Sequence, residues 1–265
     1  MENTDNKPLT EDKYTIRAAE RCLEVLDVFT KADSSLGVTD ICTELSINAN
    51  MAFRMLTTLA NSGYLVRNQK DGRFSLSLKV LQLSRRALLS LEIKKTAMPY
   101  MEQLWKEFPK SNINLGVFNQ GEVVVVDRIE SERLPRTYFT PGKILPFHAA
   151  ALGKVLVSEL SDEYIDELIA THGLKTYTAT TINDAQQLKD VLAKVRVEQV
   201  AWDHGEHVLN DTCVAAPIRD ASRNIIAAMS LSAFDIYMSK EEMQQAGMRV
   251  RDITRTISSL MGYNT

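Results

Sequence analysis

The chain has 265 residues, 45% of them hydrophobic, and 31 Lys and Arg against 34 Asp and Glu give a formal net charge of −3. Such a chain can bury a core in one large or two ordinary domains, which excludes a disordered chain, and no apolar run approaches the ~20 residues needed to span a bilayer. Three widely spaced cysteines (Cys22, Cys42 and Cys213) without a Cys-x-x-Cys pair exclude a disulfide framework or zinc ribbon and point to a cytoplasmic protein.

Residues 1–13 are polar and acidic, lack the basic and apolar regions of a secretory signal, and are expected to form a disordered tail. Residues 15–30 then carry Ile16, Ala19, Cys22, Leu23, Val25, Leu26 and Phe29 at helical spacing. After the break at KADSSLG, Thr39 is expected to open a short second helix that turns Ile41, Cys42 and Leu45 inward. A third helix is expected over Ala49–Asn61. Ala52, Met55, Leu56 and Leu59 form its inner face, and Asn50, Arg54, Thr57 and Asn61 its outer face. Gly63 suits a left-handed cap. The segments YLVRN and RFSLS flank Gln69-Lys70-Asp71-Gly72, a hairpin signal.

Three helices followed by a hairpin describe a winged helix-turn-helix. The charge agrees. Residues 1–91 hold 12 basic and 11 acidic residues, so the remainder holds 31 − 12 = 19 and 34 − 11 = 23. Between Ser46 and Leu91 the bases are Arg54, Arg67, Lys70, Arg73, Lys79, Arg85 and Arg86, and Asp71 is the lone acid. A local basic surface on an acidic protein predicts a confined polyanion contact. A helix fits the major groove, where Asn50 and Arg54 can read base edges and Thr57 can reach phosphate. Met51 and Thr58 lie beside them on the same helix. Arg67, Lys70 and Arg73 at the hairpin are placed to contact the adjacent backbone or minor groove.

Leu76–Leu91 is expected to be an amphipathic linker helix anchored by Leu78, Val80, Leu81 and Leu88, suited to joining domains and pairing subunits. The expected division is a DNA-binding domain over 14–77, a linker over 78–92 and a second domain over 93–265. In the second domain, helices are predicted at Ile93–Phe108, Ala149–Glu159, Asp162–Thr171, Asp184–Glu198 and Ser239–Met261. Strands are predicted at Asn112–Asn119, Glu122–Ile129, Leu134–Thr140, Val200–Asp203, Thr212–Ile218 and Ile225–Ser232. Strands in hairpins with helices between them predict an α+β domain, an antiparallel sheet covered by helices.

Five segments in this order resemble the IclR (isocitrate lyase regulator) family of bacterial transcription factors: RAAERCLEVLDVF, FRMLTTLANSGYL, FHAAALGKVLVSEL, TATTIND and TCVAAPIRDASRNIIAAMSLS. The resemblance covers about Thr15 to Gly262. It implies a GAF- or profilin-like effector domain behind the DNA-binding head. It also implies a homodimer or tetramer on a partly palindromic double-stranded operator, and a small organic acid (sugar, 2-oxo or aromatic) from carbon catabolism as effector, with no cofactor and no membrane partner. The family's acid-binding positions match Ala151, Leu152, Asp203, Cys213, Ser230 and Ser232. Ser230 and Ser232, two apart on a strand, share a face, and hydroxyls, a thiol and backbone amides are donors suited to a carboxylate. Leu152 stands where the family usually has a small residue, so the pocket is expected to be reduced or reshaped. Asn50-Met51 replaces the family's Ser/Thr near the start of the recognition helix.

The alternative is a metal- or thiol-dependent hydrolase using Asp203, His204, His207 and Cys213. Its spacing lacks the His-Glu-x-x-His pattern. His207 reads as a surface or hinge residue, and His148 as a support for the adjacent helix.

Overall fold

The computed structural model describes residues 15–32, 34–132 and 140–263. The expected tail at 1–13, and all but Thr140 of the strand expected at Leu134–Thr140, lie outside them. The chain divides into two compact units at Ser90/Leu91.

The first unit contains α1 (Arg17–Lys31), α2 (Val38–Leu45), α3 (Ala49–Asn61), β1 (Leu65–Arg67), β2 (Phe74–Leu76) and α4 (Lys79–Ser90). Its core joins Val25 and Phe29 of α1, Ile41 of α2, the four inner residues of α3, and Leu65 and Phe74 of the hairpin. The expected stripe on α1 is only half used. Ile16 is 72% exposed and Leu23 62% exposed, because the buried edge runs through Val25 and Phe29. Helix α2 begins one residue earlier than expected. Gly37 is its N-cap, and the Asp40 carboxylate accepts the Gly37 N–H at 2.8 Å.

Helix α3 has the predicted bounds. Asn48 caps it by accepting the Met51 N–H at 2.9 Å. Its end is a Schellman motif: Gly63 takes φ 81°, its N–H donates to Ala60 O, and the Tyr64 N–H donates to Leu59 O. Strands β1 and β2 pair antiparallel, Leu65 opposite Leu76, and Leu36 adds an isolated bridge to Phe74. Of the expected anchors, Leu78, just before α4, and Leu81 on it are exposed, as is Leu83. Nothing in this chain covers them among the described residues; the side chains of residues 85–90 are not described.

The second unit contains α5 (Glu92–Glu107), β3 (Asn112–Asn119), β4 (Glu122–Ile129), β5 (Ile144–Leu145), α6 (Ala151–Val157), α7 (Asp162–His172), α8 (Ala185–Glu198), β6 (Ala201–His204), β7 (Asp211–Arg219), β8 (Ile225–Phe234) and α9 (Lys240–Leu260). The two-residue β5 escapes sequence reading, and α6 is shorter than the expected Ala149–Glu159. The strands form one antiparallel sheet in the order β5-β4-β3-β8-β7-β6. Helices α5 and α9 pack against it, with Met101 and Leu104 of α5 and Val250, Ile253 and Ile257 of α9 buried. Helix α6 also packs on the sheet, backed by α8. Ser239 opens α9 with a capping box completed by Glu242. Among the described residues no helix is long and apolar enough to cross a membrane.

Candidate functional site

Two surfaces carry the chemistry, one on each unit. On the first, α3 turns its predicted outer face to solvent: Asn50, Met51, Arg54, Thr58 and Asn61 are exposed, and Thr57 is half-buried. The Thr58 hydroxyl donates back to Arg54 O at 2.8 Å. The Arg67 guanidinium lies 5.7 Å from the Phe53 ring centroid and 5.6 Å from that of Phe74, so stacking positions this exposed cation beside α3. Lys70 stands exposed on the hairpin loop, whose backbone is held by the Asn68 and Asp71 carboxamide and carboxylate oxygens.

Arg73 corrects an expectation. It is not free at the hairpin tip. Its Nη2 donates to Ser35 O at 2.6 Å and pairs with Asp40 at 2.7 Å, so it braces the wing against the start of α2. The same contacts occupy the Asp40 carboxylate that caps Gly37. The sequence shows a basic hairpin; only the fold shows which base is already engaged.

On the second unit the register of four strands aligns a polar row: Asn112 on β3, Ser232 on β8, Cys213 on β7 and Asp203 on β6. Directly opposed residues share a face. One step along, Asn114 opposes Ser230, and Arg128 of β4 opposes Asn114. Arg128 Nη1 donates to Asn114 Oδ1 at 2.9 Å, and Asn114 Nδ2 donates to Ser230 Oγ at 3.3 Å. Ala151 and Leu152, the first residues of α6, meet this face. Of the six expected effector residues, Ala151, Leu152, Asp203, Cys213 and Ser230 line one cavity. Ser232 is not part of that lining; it is fully buried on the same face, beside the Cys213 thiol.

The cavity measures about 20 Å3, room for roughly one water. Leu152 is part of its wall. Its Cδ1 would stand 3.2 Å from a Cβ at position 116, so Gly116 is what lets this side chain close in.

Sequence reasoning missed Asn114, Asp211, Arg128 and Lys154. Their signal is register rather than motif: Lys154 interrupts an apolar helix, while Asn114, Arg128 and Asp211 reach the site through strand pairing. Asp211 lines the cavity with Asp203. Burial pushes both carboxyls up to about 7. At Asp203 the Glu206 N–H, donated at 2.6 Å, and Lys154 oppose the shift; at Asp211 the neighbouring Asp203 adds to it and Arg128 opposes it. The donor set is thus not simply neutral, as the residue types suggested. Beneath it, Lys154 is fully buried; its Nζ pairs with Glu206 at 2.5 Å and donates to Trp202 O at 2.8 Å. That explains a lysine inside the apolar segment AALGKVLV.

The hydrolase alternative loses its parts. Burial holds the Cys213 thiol well above the ordinary cysteine range, the wrong direction for a nucleophile. His204 is exposed and stacks on Trp202, with ring centroids 5.7 Å apart. Among the described residues no three His, Cys, Asp or Glu side chains are grouped to hold a metal ion. His207 is not a surface residue: it is half-buried in the cavity wall. The His148 Nε2–H donates to Lys175 O at 3.0 Å, tying the approach to α6 to the segment after α7.

An exposed polar helix carrying Arg54 beside a basic wing, and a separate buried polar cavity, fit a DNA-binding regulator. Residues 18–69 match the IclR helix-turn-helix domain, and residues 85–259 match the domain described as bacterial transcriptional regulator IclR C-terminal. The chain belongs to the IclR family of bacterial transcriptional regulators, and it is a regulator rather than an enzyme. It is similar to the HTH-type transcriptional regulator XynR of Escherichia coli K12, 28% identical over 255 residues that cover 94% of this chain and 98% of XynR. It is also 27% identical to the HTH-type transcriptional repressor AllR of the same strain, over 93% of this chain and 90% of AllR. A solved IclR homolog from Microbacterium hydrocarbonoxydans, complexed with 4-hydroxybenzoate, aligns with a TM-score of 0.70 at 22% identity. That alignment covers 90% of this chain and 99% of the other, a likeness of fold.

Proposed function

We propose that this regulator is controlled by a small organic acid that binds on the polar face formed by Ala151, Leu152, Asp203, Cys213, Ser230 and Ser232. The observation that carries the reading is the meeting of these six positions, from four separate elements, on one side of one sheet. Ala151 and Leu152 are the first two residues of α6, where backbone N–H groups lack intrahelical acceptors. Since the cavity as it stands has room for about one water, an acid enters only as Leu152 or His207 turns aside.

DNA is read by α3 through Asn50, Met51, Arg54, Thr57 and Thr58, with Arg67 and Lys70 holding the phosphate backbone. The target is a partly palindromic operator of a carbon-catabolism operon, bound in the cytoplasm by a homodimer or tetramer. Pairing is supported by exposed apolar residues on the head, Ile16, Leu23, Leu78, Leu81 and Leu83. The acid controls DNA binding by favouring one arrangement of the assembly, which requires different affinities for the two arrangements.

A thermal-shift screen against small organic acids tests this. One acid should raise the midpoint, and the rise should vanish in the Ser230→Ala/Ser232→Ala double variant. A rise that survives the double variant would move the site elsewhere.

A further inference from the structure

Lys79 is one of the bases between Ser46 and Leu91, and it takes no part in the surface assigned above to DNA. It is the first residue of α4, and only Ser77 and Leu78 separate that helix from β2. Lys79 Nζ donates to Ser62 O at 2.7 Å and stands 4.3 Å from the Tyr64 ring centroid. Ser62 is the C-cap of α3. The ammonium therefore sits at the carbonyl end of that helix, where orphan acceptors and the helix dipole favour a cation.

Ser77 adds to the same junction. Its N–H donates to Tyr64 O at 2.9 Å, and its hydroxyl donates to Gly63 O. The carbonyls of Ser62, Gly63 and Tyr64, consecutive in the chain, thus all accept from Ser77 or Lys79. The Ser77 hydroxyl oxygen also accepts the Lys79 N–H at 3.2 Å, and Ser77 O accepts the Val80 N–H at 3.2 Å. A Cβ at Gly63 would stand 3.5 Å from Lys79 Cδ, so the lysine stem lies against the turn that ends α3. A hinge needs residues free to absorb a change in φ and ψ. Ser77 is tied on both sides, and Leu78 O already accepts the Leu81 N–H at 3.2 Å, so the two connecting residues have little freedom to act as one.

We propose that Lys79 is a positioning residue for DNA recognition: it locks the carbonyl end of α3 to the start of α4, so that the two helices turn as one body. This rests on the reading of α3 as the helix that reads DNA. The 12 residues of α4 extend roughly 18 Å from the clamp at about 1.5 Å per residue. A tilt of α4 is then delivered to α3 at its root and is not absorbed in a loop. The placement of Asn50, Arg54 and Thr57 against base edges depends in this way on a cation that itself reads no base.

The test measures binding of the full-length protein to a duplex that the parent selects from a randomised pool, and to an unrelated duplex. The temperature is kept well below the head's melting midpoint, where a loss of stability alone does not change the folded fraction. Lys79→Met should weaken the selected duplex about tenfold, the size of one misaligned base contact, and leave the unrelated duplex and the salt slope unchanged. Lys79→Arg should restore binding, since a guanidinium can also donate to Ser62 O and lie over Tyr64. Tyr64→Leu removes no cation, yet it should reproduce the selective loss, and adding it to Lys79→Met should cost little more. Equal loss on both duplexes, with a slope lower by about 1, would make Lys79 a phosphate contact and overturn the clamp. A Tyr64→Leu protein that matches the parent overturns it too. If Arg54→Ala loses the selected duplex while Lys79→Met keeps it, the clamp is wrong and α3 still reads DNA. If Arg54→Ala keeps it, the reading of α3 itself fails.

Discussion

The two units handle polar groups in opposite ways. The DNA-binding head keeps its charge outside and its core apolar; Val25, Ile41, Leu56 and Phe74 meet there with no buried ion pair among the described residues. The second unit buries Lys154, Glu206, Asp203 and Asp211. A surface that reads a polyanion works by long-range attraction and needs solvent-facing cations. A site for a small molecule needs dry, directed polar groups, and these cost desolvation until partnered. Stability should therefore depend on apolar volume in the head and on charge pairing in the second unit.

The largest expected effect tests that contrast directly. Lys154→Met should cost the second unit about 3–5 kcal/mol, because it leaves the Glu206 carboxylate buried without its cation. Lys154→Met/Glu206→Leu should recover much of this. Calorimetric unfolding of the full chain checks both, and a double variant no better than the single would show that packing, not pairing, dominates. Next, Leu56→Ala should cost the head about 2–5 kcal/mol by opening a cavity. DNA binding should fall with it while the melting of the second unit stays put; a common shift of both would erase the contrast.

Smaller effects sharpen it. Arg54→Ala should lose about 1–3 kcal/mol of operator affinity and relax specificity, whereas Lys70→Ala should weaken all DNA alike and reduce the salt slope by about 1. Arg73→Ala should lower head stability and leave that slope unchanged, because its guanidinium is held by Ser35 and Asp40. Finally, Asp203 has a folded pKa near 7, above its ordinary 3.8. The folded state therefore binds the proton more tightly, so ionisation destabilises it as pH rises from about 4 to 7. Asp203→Asn should gain midpoint relative to the parent over that window and match it most closely below pH 4. A constant difference across the window would assign the shift elsewhere.

Much of the fold was legible because its signals are local. The inner face of α3 reads from spacing, its end from Gly63, and β3 and β4 from the turn residues Asn119-Gln120-Gly121 between them. The residues proposed to bind an effector were legible only through family resemblance. Ser230 and Ser232 share a face by period alone, but nothing local says that Asp203 stands opposite Cys213. The bracing of Arg73 was illegible for the same reason: its partners Ser35 and Asp40 are more than thirty positions away. Ile16, Leu23 and Leu81 were expected to be buried because helical spacing marks an apolar face without saying whether the same chain covers it.

By itself, then, the sequence determined the helices, most strand bounds, the basic helix-and-wing surface and the order of the two units. These depend on propensity, capping and charge, which act over a few residues. Tertiary structure alone decided which arginine is braced, which carboxylates line the polar cavity together, and that Leu152 closes against Gly116 beside it. Those outcomes depend on strand register and on desolvation, and neither exists until distant segments pack.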